Sequence, residues 1–100
     1  MKIPPLEPGE LALFQRVFGR HSEIKAVRLF GSRAKGTHAP GSDVDLALWG
    51  DLDALQAESI AAELDELPLP YRFDVKASHL IKLGPLRDHI DRVGILVYPV

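Results

Sequence analysis

Asp43 and Asp45 stand two positions apart inside an apolar run, with Val44, Leu46 and Leu48 alternating around them. In an extended strand, side chains two apart point the same way, so both carboxylates share one face while the apolar residues line the other. The later segment from Tyr71 to Ala77 alternates in the same manner, with Tyr71, Phe73 and Val75 on one side and Arg72, Asp74 and Lys76 on the other. If both strands pack their apolar sides against helices, all three aspartates emerge on the opposite, open face as a convergent acidic cluster. Carboxylates held together repel, raise one another's pKa, and are tolerated when a cation sits between them. Oxygen ligands with room for water and phosphate suit magnesium. Two such ions can activate an attacking oxygen and stabilise a leaving one in an in-line phosphoryl displacement.

A second constellation precedes the first. Gly31-Ser32 lies 12 residues before Asp43; its glycine lets a phosphate approach the backbone, and its hydroxyl and free amides can donate to that phosphate. Arg33 and Lys35 fall in the same turn and can neutralise a triphosphate. Gly-Ser alone is a common turn, and Asp-x-Asp alone is often a solvated strand face. Their combination with a third aspartate on a later strand is much harder to obtain by accident.

The elements that must position these residues can be read from periodicity. Residues 1–9 carry Pro4, Pro5, Pro8 and Gly9 and suit an extended arm. Leu11, Phe14, Val17 and Phe18 recur at helical spacing and predict an amphipathic helix from Glu10 to about Arg20. Ala26 to Phe30 reads as a short strand, followed by a connection punctuated by Gly36, Pro40 and Gly41 and a second strand from Val44 to Trp49. Asp51 or Asp53 can cap a helix to about Leu67, with Leu55, Ile60 and Leu64 among its buried residues. Strand Tyr71 to Ala77, a helical segment from Pro85 to Arg92 and a last strand from Ile95 to Tyr98 complete the chain. The expected fold class is α+β: a small mixed sheet with helices packed on one face, its first two strands antiparallel neighbours because the connection is short.

The whole is expected to be one domain. A hydrophobic fraction of 46% with 26% charged residues is ordinary for a globular chain of 100 residues. The net charge of −2, from 12 basic and 14 acidic residues with no long basic run, argues against stable binding to duplex nucleic acid. Cysteine is absent, which excludes disulfides and thiolate metal sites. The chain shows neither the apolar run of a signal peptide nor a membrane-spanning stretch, so a cytoplasmic location is expected. His21, His38, His79 and His89 are scattered without zinc-ligand spacing and suit surface or capping roles. Trp49 suits core or edge packing, Glu58, Glu63, Asp65 and Glu66 a solvated helix face, and Arg72 and Lys76 either salt bridges to the acidic cluster or contacts to a nucleotide or partner.

Gly31-Ser32-Arg33-Ala34-Lys35-Gly36 followed by Ser42-Asp43-Val44-Asp45-Leu46 resembles the signature of the DNA polymerase β-like nucleotidyltransferase superfamily, and its wording is most similar to the minimal nucleotidyltransferases of the MNT or MntA antitoxin type. The resemblance covers about residues 10–98 in element order, and its specific part is residues 29–48 with Asp74. It implies that Asp43 and Asp45 bind two catalytic magnesium ions, and that Asp74 completes one site and helps take the proton from an acceptor hydroxyl. It further implies that Gly31 and Ser32 hold the β- and γ-phosphates of ATP, with Arg33, Lys35 and Ser42 as further nucleotide-binding candidates. Larger relatives carry an acceptor-binding helical domain beyond this core. The expected activity is therefore transfer of AMP to a hydroxyl of a protein partner, a HEPN-type ribonuclease toxin. Neutralisation of that partner by binding alone, or transfer to a small molecule such as an aminoglycoside, are the alternatives.

Overall fold

The computed structural model describes residues 8–31, 34, 43–69, 71–78, 81 and 84–99. Helix α1 (Pro8–Gly19) begins two residues before Glu10, since proline is at home in a helix's first turn where no intrahelical N–H is required. It buries Leu11, Phe14, Val17 and Phe18, the residues whose spacing predicted it. Strand β1 (Ile24–Phe30) also starts two residues early. Its pairing with strand β2 (Val44–Gly50) shifts register between Ile24 and Ala26, an irregularity that strict alternation cannot reveal. Gly50 makes that end possible: its φ is +148°, and a Cβ there would lie 1.9 Å from the Glu23 carbonyl oxygen.

Helix α2 (Ala54–Asp65) is started by Asp53. The Asp53 carboxylate accepts the Gln56 N–H at 2.8 Å, and the Gln56 side-chain oxygen accepts the Asp53 N–H at 2.9 Å, a reciprocal capping box. Ala57, Ile60 and Leu64 form its buried stripe. Leu55, expected among the buried residues, is instead 73% exposed, because at 100° per residue it points away from the stripe that Ile60 and Leu64 define. The helix is also less freely solvated than its acidic composition suggests, for Glu63 accepts from Arg20 at 3.1 Å and pairs with His21, whose other ring nitrogen meets Glu23 at 3.0 Å. Strand β3 (Phe73–Ala77), helix α3 (Gly84–Val93) and strand β4 (Ile95–Tyr98) follow.

The four strands order as β3-β2-β1-β4. β1 runs antiparallel to both β2 and β4, while β2 and β3 are parallel, giving the expected mixed sheet and the expected antiparallel first pair. α1 and α2 cover one face, where Val27, Leu29, Val44, Leu46, Leu48, Ala77 and Val97 meet Phe14, Phe18, Ile60 and Leu64. Phe14 and Phe73 meet edge to face at 5.4 Å between ring centres. α3 packs on the other face. There Phe30 and Ala47, which share parity with Asp45, are buried with Ile81 and Ile90 and flanked by Trp49 and Leu86. The face carrying the aspartates is thus half apolar, and an apolar half needs a cover. Among the described residues no helix is long and apolar enough to cross a membrane.

Candidate active site

Strand parity and sheet order decide where the carboxylates lie. Asp45 is the second residue of β2, with Phe30 opposite it on β1 and Asp74 opposite it on β3. Neighbouring strands stand about 4.8 Å apart, so Asp45 and Asp74 project side by side from the face that α3 leaves partly open. Asp43 is exposed immediately before β2. The Asp45 carboxyl titrates above the ordinary 3.8, first because it is partly buried, then because the charges of Asp74 and Asp43 oppose its ionisation; Lys76 acts in the opposite direction.

The expected convergence of three carboxylates is not complete. Among the described residues no group of three or more potential ligands is arranged around one metal position. Two residues along β3, the Lys76 ammonium donates to both oxygens of Asp74, at 3.1 and 2.9 Å. Lys76 and Asp74 are 42% and 47% exposed, so the ion pair is a weak one that a divalent cation can replace. The donor set itself fits magnesium. It is made of carboxylate oxygens, one of them held in an environment that disfavours its lone negative charge.

Gly31 closes the site from the β1 side. Its φ is +77°, and a Cβ built on it would lie 2.2 Å from Asp45 Oδ2, so the backbone here runs directly against the carboxylate and only glycine fits without displacing it. The amide expected to be free for phosphate already has a partner. Gly31 N–H donates to His89 Nε2 on α3 at 3.1 Å. No spacing rule would have found His89, since the contact spans 58 residues and arises only when α3 folds onto the aspartate face. Ser32, Arg33, Lys35 and Ser42, together with His38 and His79, lie outside the described residues.

Trp49 lies further along the same face, with the guanidinium carbons of Arg28 and Arg87 5.4 and 5.7 Å from its ring centre. Arg87 also donates to the Ser78 carbonyl at 2.8 Å, which ties α3 to the end of β3. Lys76 takes the salt-bridge role of the two considered for it. At Arg72 the backbone carbonyl accepts the Val44 N–H at 2.8 Å and continues the parallel pairing of β2 and β3.

The family model described as polymerase beta, nucleotidyltransferase matches residues 14–99. No curated protein sequence matches the chain. Several solved structures share its fold. A toxin-antitoxin with AMP-PNP superposes with a TM-score of 0.72 at 21% identity, over 95% of this chain and 75% of the other. An MntA–HepT toxin-antitoxin gives 0.70 at 15% identity, over 94% and 74%. A tri-AMPylated Shewanella oneidensis HEPN toxin in complex with MNT antitoxin gives 0.60 at 16% identity, over 91% and 73%.

Proposed function

Since the chain belongs to the polymerase β nucleotidyltransferase family, we propose that it transfers AMP from ATP to a hydroxyl of a protein partner, and that this partner is a HEPN-type toxin which it neutralises as an antitoxin. The observation that carries the chemistry is the register pair Asp45 and Asp74 beside the close-packed Gly31. The choice of acceptor is supported by the structural neighbours, among them an MNT antitoxin bound to an AMPylated HEPN toxin.

Asp43, Asp45 and Asp74 would hold magnesium, which when bound neutralises the triphosphate and polarises the reacting phosphoryl group. Gly31 and Ser32 would hold the β- and γ-phosphates, the Gly31 amide exchanging its His89 partner for phosphate to do so, with Arg33, Lys35 and Ser42 as the proposed counter-charge and donor. Lys76 balances Asp74 until a cation takes its place. In the reaction the acceptor oxygen forms a bond to the α-phosphorus while the bond to the β-phosphate oxygen breaks. The hydroxyl proton passes toward Asp74, and pyrophosphate leaves. A reaction that consumes ATP suits the cytoplasm.

Co-expression with a HEPN-type toxin tests this reading. The wild type should restore growth, and the Asp43→Asn/Asp45→Asn double variant should fold and bind the toxin without restoring it. Full protection by the double variant would replace modification with neutralisation by binding.

A further inference from the structure

α2 and β3 do not close on each other completely. Between them lies a recess of about 170 Å³, lined by Ala54, Ala57 and Glu58 of α2, by Val75, Lys76 and Ala77 of β3, and by Ile81. Small side chains leave the space, since Ala54, Ala57 and Ala77 each bring a single methyl group to its walls. An apolar cavity of about 150 Å³ holds a benzene ring, so this recess is sized for one aliphatic or aromatic side chain. Its two charged residues, Glu58 and Lys76, are of opposite sign and together select no ion. A neutral apolar group is what such walls take.

The recess adjoins the acidic site. Lys76 lines it, and the same ammonium donates to Asp74 Oδ2 at 2.9 Å. Val75 and Lys76 point to opposite faces of β3, so a recess that both of them line opens along the edge of that strand, and β3 is the outermost strand of the sheet on this side. Apolar surface also continues outside it. Leu55, next to Ala54 and one turn from Glu58 on α2, is 73% exposed. A free small molecule could fill the recess without touching Leu55, whereas a protein chain that inserts one side chain covers both.

We propose that this recess is an anchor pocket for the protein acceptor: an aliphatic or aromatic side chain of the partner enters it beside Leu55 and thereby holds the acceptor hydroxyl on the Asp74 side of the site. The partner's identity rests on the nucleotidyl-transfer reading.

Two substitutions at exposed positions test the pocket. Ala54→Phe fills the recess from its rim, and Leu55→Gln removes the apolar surface next to it. Calorimetry measures the affinity of each variant for a HEPN-type toxin without nucleotide and, separately, for magnesium with AMP-PNP; transfer from α-labelled ATP gives KM for the toxin and kcat. The expected result is toxin binding about tenfold weaker or more in Ala54→Phe, the scale of one excluded apolar side chain, and a smaller loss in Leu55→Gln. KM for the toxin should rise in parallel, with kcat and AMP-PNP affinity unchanged. Unchanged toxin affinity in both variants overturns the proposal while leaving transfer intact. Weakened AMP-PNP binding with unchanged toxin binding assigns the recess to the adenine base and overturns it as well. Should Ala54→Phe not fold, Ala54→Leu replaces it under the same criteria. A wild type that transfers no label, with toxin affinity still lost in the variants, defeats the transfer reading and leaves the pocket standing; a wild type that binds no toxin overturns both.

Discussion

At Asp45 the demands of folding and of the proposed chemistry oppose each other. Its carboxyl is held above the ordinary 3.8 by burial and by Asp74 and Asp43, so between 3.8 and the raised value the folded chain keeps a proton that the unfolded chain has lost. Stability then falls as pH rises through that window; the penalty is complete above it and absent below it. In metal-free buffer, Asp45→Asn should unfold at higher urea than the wild type at neutral pH, and the difference should shrink as pH falls from the raised value towards 3.8 and be gone below it. Transfer should drop by about a hundredfold or more in the same variant, the scale of losing one preorganised electrostatic contact. A variant less stable than wild type at neutral pH would show that the carboxylate is not strained by its neighbours.

At the scale of elements, the site is made where β1 ends against the start of β2. Gly31→Ala forces a side chain into the left-handed region and against Asp45 Oδ2, and should cost about 1–3 kcal/mol. Part of that cost belongs to the clash, so the same substitution should cost measurably less in an Asp45→Ala background; equal costs in urea unfolding would remove the contact from the account. Strand parity made Asp45 and Asp74 legible in the sequence, because the period of two is rigid and both strands alternate cleanly. It puts Ala47 and Trp49 on the aspartate face as well, but it does not show that Phe30 of the neighbouring strand joins them or that α3 packs over that patch. The shared face of Lys76 and Asp74 allowed either a salt bridge between them or a contact to a nucleotide or partner, and only the structure selects the salt bridge. Leu55 lies off the buried stripe because a helix of twelve residues rich in alanine and leucine offers more than one apolar stripe, and only the sheet selects among them.

For the whole molecule, element order and the Gly-Ser and Asp-x-Asp spacing sufficed to anticipate the family and the mixed sheet, whereas His89 on Gly31 depended on a docking that no local pattern encodes. The sheet brings Asp45 of β2 opposite Asp74 of β3 and sets Gly31 against Asp45, and the proposed acceptor hydroxyl has to reach that point. The most direct measurement follows which phosphate moves. The protein is incubated with magnesium, a purified HEPN-type toxin and ATP labelled on either the α- or the γ-phosphate. Label from the α-position on the toxin, none from the γ-position, and none with the Asp43→Asn/Asp45→Asn variant is the predicted result. Label transferred from the γ-position, or an unlabelled toxin that is nonetheless neutralised, would contradict nucleotidyl transfer as the function of this site.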